Sequence, residues 1–183
     1  MTPLPGPLAA RAGGKAHALP TAGGLLFWRL DKDRHLGSWA SGEGAFQVGG
    51  RWNARGTRVV YGALDPATAL LEVAVHAGFS ALDAVAHSLV CARWTDLSRV
   101  KVLPPEAFPD TSWLRPGVPG AAQQAFAAEK MKLHPVLVLP SVVSPHSWNV
   151  VIDVAAAVGQ LDTVLVERFS LDGRLLDALR SAR

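Results

Sequence analysis

Apolar positions along this chain fall into short runs, and the runs change period from one to the next. "GLLFWRL" (residues 24–30) is continuous apolar and aromatic sequence with Arg29 near its end and predicts a strand; "RVVYGA" (58–63), rich in β-branched and aromatic residues, predicts a second. The period then lengthens in "LDPATALLEVAVHAG". Asp65 suits the position before a helix, Pro66 the first helical position, and Gly78 the end, so the spacing predicts a helix over residues 66–77. "AVAHSLVCARW" (84–94) predicts a strand, and "DLSRVKVLP" a loop or short strand after it.

Residues 103–120 carry five prolines and little periodicity, which predicts a long irregular loop of the kind used as a lid or binding edge. "AAQQAFAAEKMKL" (121–133) is helical by propensity. "HPVLVLPSVV" (134–143) and "SWNVVID" (147–153) predict two strands separated by "SPH"; "DTVLVERFSLD" (162–172) predicts another, and "GRLLDALRSAR" a short C-terminal helix. Without regular βαβ alternation, the mixture predicts an α+β domain with a largely antiparallel sheet and flanking helices. Residues 1–22, broken by Pro and Gly, are expected to form a flexible N-terminal tail, and residues 23–183 one domain.

A chain of 183 residues, 49% hydrophobic and 18% charged, can bury a core without staples. The net charge of +3 is too small to predict nucleic-acid binding, though it suits an anionic ligand. The single cysteine, Cys91, lies in the apolar run "SLVCARW" and is expected to be a buried core residue. With no apolar run approaching the roughly 20 residues of a membrane span, and no leader-like segment, a cytoplasmic protein is expected.

The unusual stretch is "FQVGGRWNARGTRVVYG" (46–62), where paired glycines and a tryptophan surround Arg51. It suits either an ordinary basic turn or a backbone cradle whose arginine forks onto an anion. Glu72 sits in "ALLEVAVHA" with Thr68 and His76 as its polar companions at helical spacing. That pattern fits a narrow wet stripe on a buried helix or a carboxylate delivered into a pocket. Tyr61, the only tyrosine, reads by itself as a core residue with a satisfied hydroxyl. The Ser, His and Asp of residues 141–153 lack the nucleophile-elbow pattern, so no hydrolase triad is expected; the six histidines lack zinc spacing and the carboxylates form no calcium loop, so no metal site is expected; and P-loop and dinucleotide fingerprints are missing.

Taken together, Arg29 in "FWRL", Arg51 in "GGRWN", Tyr61 ten residues later, Glu72 in "ALLEV" and Ser141 in "LPSVV" resemble the RES domain family, the toxin half of bacterial toxin–antitoxin pairs. The resemblance covers about residues 25–175; it departs where Asp153 and Val154 stand in place of the family's usual Asn-Pro. It implies a fold similar to ADP-ribosyltransferases and diphtheria-toxin-like enzymes. It also implies NAD as substrate rather than a tightly bound cofactor, cleavage of the nicotinamide–ribose bond by hydrolysis or phosphorolysis with inorganic phosphate, growth arrest, and a cognate helix-turn-helix (Xre-type) antitoxin. Carried over residue by residue, Arg51, Glu72 and Tyr61 are the expected catalytic residues, and Arg29, Arg51, Tyr61 and Ser141 the expected NAD-binding ones. Arg55 and Arg58 are expected at the surface or behind the residues that touch the substrate, and neither membrane nor direct DNA contact is expected. Two alternatives stand beside this reading: an ADP-ribosyltransferase acting on a cellular protein, and a non-catalytic nucleotide or nucleic-acid binding module.

Overall fold

The computed structural model describes residues 23–174. The expected N-terminal tail, and the expected C-terminal helix beyond Arg174, lie outside the described residues. Strands β1 (Leu25–Lys32), β2 (Val59–Ala63), β3 (His87–Trp94), β4 (Val100–Val102), β5 (Val136–Pro140), β6 (Trp148–Asp153) and β7 (Leu161–Phe169) form one sheet in the order β4-β5-β6-β2-β1-β3-β7. Every neighbouring pair is antiparallel except β4–β5, so the expected α+β domain with a largely antiparallel sheet is what the chain forms.

Helix α1 (Glu43–Val48) precedes "GGRWN", α2 (Pro66–Ala77) carries Glu72, α3 (Phe79–Ala84) follows it, and α4 (Ala121–Met131) lies before β5. The ends of α2 are those its sequence predicts. Asp65 accepts the Thr68 backbone N–H at 2.8 Å and the Thr68 hydroxyl at 2.6 Å, and Gly78, at φ 82°, closes the last turn onto Ala74. The strand expected from Ala84 begins only at His87, because Phe79–Ala84 turn into α3 and bury Leu82 against Leu30, Ala74 and Leu89. The strand expected to reach Val143 stops at Pro140; beyond it the Ser141 N–H bonds Ser147 O and closes a hairpin to β6. Residues 33–48, for which composition predicts nothing, form a 3₁₀ turn (Asp33–Ser38) and α1.

Alternation along the strands divides the core into two layers. One face buries Leu25, Phe27, Val60, Trp94, Val138 and Ile152; the other buries Val59, Leu137, Leu139 and Val151 beneath α4 and residues 103–114. The proline-rich segment is therefore a packed strap with two short 3₁₀ turns (Pro105–Ala107 and Thr111–Leu114). An aromatic chain anchors it: Trp52 to Phe108 at 5.4 Å, Phe108 to Phe126 at 5.6 Å, and Phe126 to Trp113 at 5.6 Å. Cys91 is fully buried, and burial pushes its thiol up to about 11, leaving it inert at neutral pH.

One irregularity positions everything that follows. The ladders β1–β3 and β2–β6 run the length of their strands, yet β1 and β2 share a single register pair, Trp28 with Ala63. Away from that pair the two strands part, and the gap opens toward α2.

Asp65→Ala removes both bonds at the start of α2 and is expected to lower stability by about 1–2 kcal/mol. Urea denaturation checks this, with a shifted midpoint and an unchanged slope.

Candidate functional site

A cleft of about 1100 Å³ occupies the gap between β1 and β2 and runs beneath α2. Its volume is slightly above the roughly 300–1,000 Å³ range of small-molecule sites. Arg29, Arg51, Tyr61 and Glu72, from β1, the loop after α1, β2 and α2, all line it. Four sequence-predicted residues up to 43 positions apart thus meet on one wall system, while Ser141 lies buried behind Glu72.

The "GGRWN" loop is shaped from beneath by a polar network. Asn53 is 1% exposed; its Nδ2 donates to the carbonyls of Ala45, Ala54 and Thr57, and its Oδ1 accepts the Tyr61 hydroxyl at 2.8 Å. That hydroxyl in turn accepts the Trp52 N–H at 3.1 Å. The paired glycines have separate reasons. Gly49 ends α1 at φ 76°, in the left-handed region. A Cβ on Gly50 would lie 2.6 Å from the Tyr61 hydroxyl and 2.8 Å from Asn53 Oδ1, so only glycine lets the loop settle onto them. Tyr61 therefore borders the cleft with its ring while its hydroxyl holds the loop. Burial raises its pKa well above the ordinary 10, with the Trp52 N–H bond and the charge of Arg51 opposing only in part.

The two cleft arginines already have partners. Arg29 pairs with Asp31, Nε and Nη2 reaching Oδ2 at 2.9 and 2.8 Å, and Nη1 donates to Tyr61 O at 2.9 Å. It thereby satisfies a β2 carbonyl that the departing β1 leaves without a ladder bond. Arg51 donates from Nη1 to Trp113 O at 3.3 Å and from Nη2 to Gly117 O at 3.1 Å, so its fork grips the proline-rich strap. Partial burial draws its pKa below the usual value, and the negative charge of Glu72 pushes back; it remains a cation. Arg55 is exposed, and Arg58 pairs with Glu43 at 2.5 Å while stacking on Phe46 at 4.5 Å, outside the site as expected.

Glu72 accepts two hydrogen bonds, from Ser141 Oγ at 2.8 Å and from Asn149 Nδ2 at 2.6 Å, and both end on Oε1. The expected stripe of Thr68, Glu72 and His76 divides: Thr68 is buried in the cap of α2, whereas His76 is exposed at the cleft wall. Sequence reasoning missed Asn149, Asn53 and Gln124, whose Nε2 donates to Gly50 O at 2.8 Å. For Asn149 the available signal was a lone amide among apolar residues in "SWNVVID". Among the described residues, no group of three His, Cys, Asp or Glu is placed to hold a metal, and no helix is long and apolar enough to cross a membrane.

A family model described as the RES domain matches residues 26–172. The chain is 30% identical over 161 residues to the protein named Toxin Res of Photorhabdus laumondii subsp. laumondii, covering 84% of this chain and 99% of that protein. It is 42% identical over 52 residues to Toxin Res of Pseudomonas putida, covering 28% of this chain and 33% of that one. Among solved structures, a chain of the M. tuberculosis MbcT–MbcA toxin–antitoxin complex superposes with a TM-score of 0.62 at 19% identity, over 86% of this chain and 90% of that one. This last likeness is one of fold.

Because Tyr61 is the only tyrosine, an ultraviolet pH titration of the native protein reads its hydroxyl alone. No phenolate is expected near pH 10, the ordinary value, and phenolate absorbance is expected only as the protein unfolds at higher pH. The sign follows from the raised folded pKa: the stability contributed is complete below the unfolded pKa and is lost as pH rises past it.

Proposed function

The chain belongs to the RES domain family, and on that premise we propose that it is the toxin of a bacterial toxin–antitoxin pair that cleaves the nicotinamide–ribose bond of NAD. The observation that carries the reading is Glu72, a carboxylate held by two neutral donors on the wall of a cleft that also presents Arg51.

Breaking the bond between ribose C1′ and the pyridinium nitrogen sends the bonding electrons to the ring and releases neutral nicotinamide. Positive charge accumulates on C1′ and the ribose ring oxygen. A fixed carboxylate in a partly dehydrated cleft stabilises that charge more than water would, and it does so most in the transition state. Water or inorganic phosphate then bonds to C1′, giving ADP-ribose or its 1-phosphate; with water as acceptor, a proton passes to solvent. Arg51 is suited to the pyrophosphate, whose oxygens would use its remaining N–H groups or displace the two strap carbonyls it now holds. Arg29, its charge balanced by Asp31, contributes by bonding the Tyr61 carbonyl at the parted edge of β2 and so holding the cleft open. The ring of Tyr61 borders the space for the nicotinamide or ribose.

An antitoxin is the partner this reading requires, as it is for the toxin of the M. tuberculosis complex. Val48 and Val75, 80% and 57% exposed, border the cleft, and Val118, 97% exposed, lies in the strap beside it. Such an apolar rim suits coverage by a protein.

The test incubates purified protein with NAD, with and without phosphate, and resolves nicotinamide from the ADP-ribose products. Glu72→Gln is expected to lower turnover about 100-fold or more, the scale of losing one preorganised electrostatic group. Arg51→Ala is expected chiefly to raise KM. Undiminished nicotinamide release by Glu72→Gln would overturn the assignment, and a labelled protein adduct in place of free ADP-ribose would favour the transferase alternative.

A further inference from the structure

We infer that Asn149 is a positioning residue of this site, acting with Ser141 as a clamp on one oxygen of Glu72 so that the other is presented to the substrate. The inference rests on the reading that Glu72 stabilises the ribose cation, and it assigns the parts around that carboxylate.

The geometry is asymmetric. Both donors converge on Oε1, Ser141 Oγ at 2.8 Å and Asn149 Nδ2 at 2.6 Å, while Oε2 makes no hydrogen bond and yet is not a buried atom. Since Glu72 lines the cleft, Oε2 opens into it. A carboxylate gripped on one oxygen by donors from two different places cannot rotate without breaking one of them.

Ser141 has nothing left for a ligand. Its single hydrogen goes to Glu72, and its lone pairs accept the backbone N–H groups of Val143 at 3.2 Å and Ser144 at 3.0 Å. It is 5% exposed, and the cleft wall beside it is made by Val142 and Val143 instead. The residue expected to touch NAD therefore acts through Glu72. Asn149 completes the clamp from the neighbouring strand, standing opposite Ala63 of β2 and Leu139 of β5, so the central sheet fixes its backbone on both sides. Its own Oδ1 is buried without a partner, so the carboxylate alone sets the direction of the amide.

The clamp is tested by kcat and KM for nicotinamide release in Asn149→Leu, which keeps the volume and removes the donor, Asn149→Ala, Ser141→Ala and Ser141→Thr. Each donor-removing change is expected to lower kcat about 10- to 100-fold, the scale of a hydrogen bond to a charged group, with KM within about twofold. Ser141→Thr, which keeps the hydroxyl, is expected to retain kcat within about threefold on the same scale. A rise in KM with unchanged kcat would overturn the inference by showing direct substrate contact, and unchanged values for both would overturn it outright. Crystal structures of wild type and Asn149→Leu give an independent reading: Glu72 is expected in one conformer in the first and displaced or split in the second, and an unmoved carboxylate sinks the clamp. If the wild type releases no nicotinamide, the proposed activity fails by itself, while those two structures still decide whether Asn149 positions Glu72.

Discussion

The parting of β1 from β2 governs this molecule. Two strands that stay paired leave no room for a ligand, and two that separate expose backbone groups that cost free energy unless something bonds them. Here the pair Trp28 and Ala63 is the only register contact between them, and the Arg29 guanidinium supplies the bond that the Tyr61 carbonyl would have received from a ladder. Asp31 balances the charge that this requires. A cleft in the middle of the sheet is thus kept open by a side chain, with regular ladders on both sides to make it rigid.

Neighbouring parts serve the same end. Asn53 and Tyr61 form a buried polar core beneath the "GGRWN" loop, with the tyrosine hydroxyl both donating and accepting, so that Arg51 leaves the loop in a defined direction. Trp52, adjacent in sequence, points the other way and joins the aromatic chain that anchors the proline-rich strap. The strap's carbonyls then return to Arg51. Loop, strap and cleft are coupled through two consecutive residues, which gives the apolar rim and Arg51 a common mechanical support.

Much of the candidate site was legible in the chain. The spacing of Arg29, Arg51, Tyr61, Glu72 and Ser141 resembled the RES family, and four of the five do border one cleft. Their individual bonds were not legible. Arg29 and Arg51 were expected as anion binders, with no sign in the chain of the partners they hold here: an aspartate two residues away on the same strand for one, and backbone carbonyls 62 and 66 residues away for the other. Asn149 gave little local signal, because its importance comes from a contact with Glu72 across 77 residues.

By itself the sequence determined the elements whose signals are local: the α2 helix with its Asp65 and Gly78 ends, and the short apolar, β-branched runs that become strands. Capping, period and backbone freedom act within a few residues and are written in order along the chain. Only the tertiary structure decided where β1 and β2 separate, how the irregular proline-rich segment is anchored over the sheet and beside the cleft, and which oxygen of Glu72 is free. Those outcomes depend on hydrogen bonds and packing between residues far apart in sequence, whose partners are set by the fold as a whole.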